Sequence, residues 1–383
     1  MKIETPVLRA CLSLLVFLAS LNILHSAALD RAACQAALDS AWRQRVAELK
    51  SERAEEMEKK TITLAGKSMR WEDRVFGEAP THGRSLWISM HGGGGAPKAV
   101  NDSQWRNQIG LYKPDEGIYV APRAPTDNWN LWHEAHIDSM FDRLVEDYVA
   151  LRGVDPNRVY ILGYSAGGDG VWQLAPRMAD RWAAAAMMAG HPNDASLLPL
   201  RNLPFALFVG ANDAAYQRNE IVAERAKKLD ELEKADPGGY VHLARVYPGL
   251  PHWMNRKDAE ALPWMAGHTR QPWPKKIIWV QDDVTHTRFY WLALPEAEAK
   301  RKRSIIAEVK EQTIQLTGDV PKQTALRLSD QLLDLDKPVR VLVGDREVFN
   351  GKVNRDAEVI RESLRERADP SSAAVAKIEL SWQ

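Results

Sequence analysis

From about residue 61 to residue 266, short apolar runs alternate with longer stretches whose apolar positions recur at helical spacing. Thr61–Leu64, Arg70–Phe76, Ser85–Met90, Gly117–Ala121, Arg158–Leu162, Ala183–Ala189, Phe205–Gly210 and Tyr240–Val246 read as strands. Asp138–Leu151 reads as a helix, because Met140, Phe141, Leu144, Val145, Tyr148 and Val149 fall on one face. Asp138 is its expected N-cap and Gly153 its expected stop. Gly168–Met178 and Ile221–Leu232 are further helices, and residues 30–60, charged, alanine-containing and free of Gly and Pro, form another. Strands alternating with helices predict an α/β fold with a mostly parallel, doubly wound sheet.

The pattern changes at Gly267–Lys276, where Arg270-Gln271-Pro272-Trp273-Pro274 reads as a linker. Beyond it, Ile277–Gln281, Arg288–Leu294, Ser304–Lys310, Thr313–Leu316, Val339–Val343 and Lys377–Leu380 are short β-type runs, and only Asp356–Arg367 looks helical. This predicts a second, β-rich, sandwich-like domain. The expected division is a signal peptide at 1–28, a helical segment at 29–60, the α/β domain at 61–266, a linker at 267–276 and the β-rich domain at 277–383.

The N-terminus has the grammar of an export signal: Lys2 and Arg9, the apolar run Ala10–Leu24, then small residues at Ser26-Ala27-Ala28 with cleavage before Leu29. A secreted or periplasmic protein is expected, with a retained membrane anchor as the alternative. Cys11 stands at the start of the apolar run rather than after it, and so does not suit a lipid-modified cysteine. After cleavage only Cys34 remains, so no intrachain disulfide can form. The 51 basic and 51 acidic side chains cancel, which argues against nucleic acid as a partner. The Lys300–Arg303 run reads as a solvated loop or strand edge. Fourteen tryptophans exceed what a core needs and suit an apolar or sugar-like ligand face.

Chemistry enters at Gly163-Tyr164-Ser165-Ala166-Gly167-Gly168, between a strand and a helix. Gly-x-Ser-x-Gly forms a sharp elbow that lifts a serine hydroxyl above a sheet. A serine needs a base to take its proton, and the base needs an acid to orient it. In this fold the order is Ser, acid, His. Asp213 follows the strand Phe205–Gly210, and His252 follows the strand Tyr240–Val246, so both reach the same sheet edge as Ser165. Asp194 is a rival acid; His191, His242 and His268 are rival bases.

An oxyanion needs two backbone N–H donors. Ala166, next to the nucleophile, is expected to supply one, and the loop His91-Gly92-Gly93-Gly94-Gly95 the other; the pattern leaves open which glycine, with Gly93 a candidate. A phosphate-cradling loop is disfavoured, because no Gly-Lys-Ser/Thr ending is present. His133-Glu134-Ala135-His136 has the wrong spacing for a zinc-protease helix, so no metal is expected. With Trp129 and Trp132 it reads as a cleft wall or an aromatic cluster. Substrate contacts are expected from His91, Tyr164, Trp129, Trp132 and Trp253.

Residues 70–265 resemble the α/β-hydrolase superfamily, in the branch of secreted esterases akin to polyhydroxybutyrate depolymerases and to feruloyl and acetyl xylan esterases. The matching segments are His91–Gly95, Gly163–Val171, Gly210–Asp213 and Gly249–Trp253, together with Tyr119–Pro125 and Arg177–His191. The resemblance implies an α/β-hydrolase fold and a serine hydrolase acting on an ester, small or polymer-linked, without a cofactor. It places nucleophile, acid, base and oxyanion roles on Ser165, Asp213, His252, Ala166 and the glycine loop. The β-rich tail is expected to contact polymer or cell envelope, or to cover a face of the hydrolase. A serine peptidase of prolyl-oligopeptidase type and a non-catalytic binding protein are the alternatives.

Overall fold

The computed structural model describes residues 28–382. The expected signal segment therefore lies outside the described residues, apart from Ala28. Among the described residues no helix is long and apolar enough to cross a membrane.

Eight strands form one sheet: β1 (Thr61–Leu64), β2 (Lys67–Phe76), β3 (Arg84–Met90), β4 (Gly117–Arg123), β5 (Val154–Tyr164), β6 (Ala184–Met188), β7 (Phe205–Gly210) and β8 (His242–Tyr247). Their spatial order is β1-β2-β4-β3-β5-β6-β7-β8. The first two pairings, β1 with β2 and β2 with β4, are antiparallel, and every pairing from β4 to β8 is parallel. Strands buried on both faces must be apolar throughout. β4, β6 and β7 are buried along their whole length. This is the α/β-hydrolase architecture, with α1 (Arg31–Lys59), α2 (Lys98–Gln108), α3 (Ala135–Arg152), α4 (Ala166–Arg177), α5 (Arg218–Ala235) and α6 (Ala261–Ala266) around the sheet.

α3 buries the predicted stripe and stops at Gly153, which takes φ +65°. Its start differs from expectation: the helix begins at Ala135, with Glu134 at the N-cap. The reason is tertiary. The Asp138 carboxylate takes hydrogen bonds from Arg177 and His286, both at 2.8 Å, and is not available to cap.

The β-rich part holds two sheets. One contains β10 (Arg288–Phe289), β11 (Leu292–Ala293), β14 (Gln323–Leu328) and β17 (Ala376–Ser381), in that order. The other runs β16 (Arg346–Gly351), β15 (Val339–Val343), β13 (Thr313–Gly318), β12 (Ser304–Lys310) and β9 (Lys276–Val280). α7 (Ala357–Glu366) completes it.

A single apolar cluster runs through both parts, from Trp71 and Phe141 to Trp279 and Leu316. The connecting segment is anchored through its buried residues Arg270, Pro272, Trp273 and Pro274. Arg270 donates to Asn157, to the Asp180 carbonyl at 2.8 Å and to Asp369 at 2.6 Å, while Trp273 Nε1 donates to the Ser371 carbonyl. α1 spans the two parts, packing on α3 and on α7. Within the basic run, Arg303 is buried against Glu298 and Asp319 instead of being solvated.

Candidate active site

The elbow is set by backbone crowding. Ser165 sits at φ +58°, ψ −120°, between the end of β5 and the start of α4. A non-glycine residue there carries about 1–3 kcal/mol of strain. Two hydrogen bonds fix it: Ser165 N–H donates to the Met188 carbonyl, and its own carbonyl accepts from Asp169 N–H, both at 2.9 Å. The chain passes so closely that a Cβ on Gly163 would lie 2.2 Å from the Gly167 carbonyl oxygen, and one on Gly167 would lie 2.2 Å from that of Met90. Glycine at both positions is a steric requirement.

β7 and β8 carry the other two groups to the same edge. His252 Nε2 lies 3.0 Å from Ser165 Oγ, and His252 Nδ1 lies 2.7 Å from Asp213 Oδ2. Asp213 is buried, with the Arg218 guanidinium 3.8 Å from its second oxygen. The His252 side chain is 41% exposed, so a substrate can reach it. Tyr164 fixes the loop that delivers it: its hydroxyl donates to the His252 carbonyl at 2.5 Å and accepts from Met254 N–H at 3.0 Å. Burial pushes ionisation of this phenol well above the usual tyrosine range, keeping the donor in place.

The glycine loop lies against the elbow; a Cβ on Gly92 would stand 3.2 Å from Ser165 Cβ. Gly94 N–H donates to Asn101 Oδ1 at 2.8 Å and Gly95 N–H to the Asp127 carbonyl at 3.0 Å. The N–H groups of Gly93 and Ala166 have no protein acceptor among the described residues. Gly93 takes φ +109°, and a Cβ there would fall 2.1 Å from Asn101 Oδ1. Asn101 is fully buried on α2 and also donates to the Ala96 carbonyl, so it clamps both sides of the loop.

The structure places some expected contacts elsewhere. His91 is buried and does not face substrate: Nε2 accepts from Ala124 N–H at 3.2 Å, so Nδ1 carries the proton it gives to the Gly92 carbonyl at 2.6 Å. Burial pushes its pKa down to about 4 and keeps the ring neutral. Trp132 is likewise buried, donating from Nε1 to the His91 carbonyl at 2.8 Å. Both residues hold the loop from behind. Trp129 is exposed and stands edge-on to His133, outside the cleft lining, whereas Tyr164 and Trp253 do line the cleft.

The rival acid and bases are otherwise engaged. Asp194 pairs with Arg301 at 2.5 Å, His191 turns onto Asn193, His242 meets Asp230 at 3.0 Å, and His268 stands against Trp264. Burial holds His133 down to about 4, and Glu134 accepts from Thr126 and Asn128, bracing the loop before α3. Among the described residues no group of three or more His, Cys, Asp or Glu side chains could hold a metal ion.

In front of Ser165 opens a cleft of about 720 Å³. Val100, Gln104 and Asn107 of α2 form one wall, and Tyr164, Trp253 and Arg256 another. Asn101, Gln104, Asn107 and Arg256 were not marked by the sequence reading. The signal for the three amides is one at each turn of a short polar stretch, Asn101, Gln104 and Asn107 or Gln108, a spacing that puts amides on one helical face; Arg256 has no such signal.

No protein-family model matches the chain, and no curated protein does. Among solved structures it is similar to a thermostable esterase, at 18% identity over 55% of this chain and 62% of that one, with a TM-score of 0.41. The chain thus spans about three fifths of that structure's length. It is also similar to a feruloyl esterase module from Clostridium thermocellum complexed with sinapinate, at 19% identity over 53% of this chain and 85% of that one, TM-score 0.38. A carboxylesterase from Mesorhizobium loti is similar at 16% identity over 54% of this chain and 99% of that one, TM-score 0.36.

Proposed function

We propose that the chain is an exported serine hydrolase that cleaves carboxylic esters through an acyl-enzyme. The observation that carries this reading is the pair of hydrogen bonds, 3.0 Å and 2.7 Å, linking Ser165 Oγ through His252 to the buried Asp213.

His252 Nε2 takes the hydroxyl proton as Ser165 Oγ bonds to the ester carbonyl carbon. Asp213 holds the Nδ1–H tautomer and stabilises the imidazolium. The carbonyl oxygen, now an alkoxide, accepts hydrogen bonds from the N–H groups of Ala166 and Gly93, neither of which has a protein acceptor among the described residues. When the tetrahedral adduct collapses, the C–O bond to the alcohol breaks, and the alcohol leaves with the proton from His252. Water, deprotonated by the same imidazole, attacks the acyl-enzyme, releases the acid and returns the proton to Ser165. The scheme uses neither metal nor cofactor.

Export rests on the signal-like segment before Leu29. Leu29 N–H donates to the Arg355 carbonyl at 3.3 Å, and Asp30 caps α1, so a chain cut before Leu29 keeps these contacts.

Fluorophosphonate labelling of the exported protein, followed by peptide mapping, tests both points. The label is expected on Ser165 and the first peptide is expected to start at Leu29. Ser165→Ala is expected to lose about 10⁴-fold or more in kcat on an activated ester. Wild-type turnover by Ser165→Ala would overturn the mechanism, and a mature chain retaining Met1 would overturn export by cleavage.

A further inference from the structure

Apart from His252, the cleft wall in front of Ser165 carries one basic side chain, Arg256, and no carboxylate. Among the described residues the Arg256 guanidinium has no hydrogen-bond or ion-pair partner. Lys257, next in the chain, is turned over the Tyr247 ring.

The backbone holds Arg256 in place at a cost. Asn255 and Arg256 take φ +53° and +63°, two consecutive left-handed residues without a glycine. Such a pair persists only where its surroundings enforce it. Here they do: Met254 N–H is held by the Tyr164 hydroxyl at 3.0 Å, Lys257 N–H by the Met254 carbonyl at 3.1 Å, and Ala259 N–H by the Arg256 carbonyl at 3.0 Å. The same tyrosine fixes the His252 loop, so the guanidinium's point of departure is coupled to the base.

Arg256 also stands where the cleft meets a second cavity of about 570 Å³; the two share Gly110, Leu111 and Arg256. The second cavity carries charges of both signs, Lys113, Asp115, Glu116 and Arg158, so it is in the cleft in front of Ser165 that Arg256 stands without a competing carboxylate. Arg256 is exposed at the cleft wall, and an uncharged ester lying against it gains no charge-assisted bond. A carboxylate would return a charge-assisted, bidentate pair. Gln104 and Asn107, on the α2 wall, add neutral donors and leave Arg256 as the source of charge selectivity.

We infer that Arg256 is a specificity-determining residue that recognises a carboxylate on the substrate, making the chain selective for anionic esters. This rests on the serine-hydrolase reading above. The test uses the full chain and matched aryl esters, a butyrate against a hemisuccinate, and the butyrate with and without a carboxylate on the aryl ring.

The wild type is expected to favour one anionic ester over its neutral partner in kcat/KM, with the preference shrinking as salt rises. Arg256→Gln is expected to reduce the anionic-to-neutral ratio by about tenfold or more, through KM. Arg256→Lys is expected to restore part of it, because a point charge remains without the planar fork. An unchanged ratio in Arg256→Gln on both ester pairs overturns the inference alone, provided that turnover still depends on Ser165. Turnover that survives Ser165→Ala, or no turnover of any of these esters, overturns the parent reading with it.

Discussion

The two ends of α4 are positioned by opposite means. At its N-terminus, Ser165 is set by the removal of side chains: Gly163, Gly167 and Gly168 let three stretches of backbone approach, and a Cβ on any of them would collide with main chain. Beyond its C-terminus, the β-rich part is held by buried charge. Asp180 takes Arg367 at 2.5 Å and Tyr290 N–H at 3.0 Å, Arg270 takes Asp369, and Asp138 takes His286 at 2.8 Å. Burial alone would raise the Asp180 carboxyl, but Arg367 and Arg288 hold it below the usual carboxylate range. The difference follows from what each end must do. A nucleophile needs one position with no charge competing for its base. A junction needs orientation, which paired charges give without extra apolar area.

The sharpest way to break this contrast is at the junction. Asp180→Asn leaves the buried Arg367 without its carboxylate, and removing one partner of a buried pair typically costs about 3–5 kcal/mol. Urea denaturation is expected to show that loss, while kcat per folded molecule stays near wild type. If kcat collapsed and stability held, the junction would be part of the active site and the two ends would not be separable.

The contrast also explains what could be read from the chain. The elbow, Asp213 and His252 were legible because each follows an apolar strand whose period and glycine stop are local. β7 (Phe205–Gly210), β12 (Ser304–Lys310) and β15 (Val339–Val343) fall where the pattern put them. α2 was not legible, because its buried positions are Asn101, Trp105 and Gln108. Two of those three are amides, buried to hold a loop and a wall rather than to fill a core, so no apolar stripe announces the helix. β16 was missed for a similar reason: it is an edge strand opening on Arg346 and Glu347, with no residue fully buried. The roles of His91 and Trp132 were misplaced because a His-Gly run looks the same whether the imidazole faces substrate or backbone. Only the Ala124 N–H on Nε2 decides it.

His91 gives the catalytic end a buried titratable group that the fold keeps neutral. Its pKa falls from 6.5 in the unfolded chain to about 4 in the fold, chiefly through burial. Above pH 6.5 both states are neutral and the contribution to stability is complete. As pH falls through 6.5 toward 4 the unfolded chain takes a proton that the fold refuses, so stability is lost, by about 3 kcal/mol across the window. Unfolding free energies at pH 7 and pH 4.5 are expected to differ more in the wild type than in His91→Asn. Equal differences would mean that His91 is protonated in place, and that the loop behind the oxyanion donors tolerates charge.

The smallest expected effect sharpens the comparison most, because it asks whether the glycine loop is positioned or merely packed. Asn101 touches no substrate atom in the proposed scheme; it accepts from Gly94 N–H and donates to the Ala96 carbonyl, leaving Gly93 N–H turned free. Asn101→Ala removes both bonds and the atom that confines Gly93, so the loop can drift by a fraction of an ångström. An oxyanion donor acts on charge that develops only in the transition state, so its displacement is expected in kcat and not in KM. A fall of about tenfold in kcat, or ~1.4 kcal/mol, with KM within a few-fold of wild type marks Asn101 as a positioning residue. The same variant also loses a buried hydrogen-bond partner, with a stability cost of about 1–3 kcal/mol. Stability alone cannot produce the kcat-against-KM split, since unfolding removes enzyme without altering the turnover of what remains. A stability loss with kcat per folded molecule unchanged would reduce Asn101 to packing and leave the loop's geometry to its glycines.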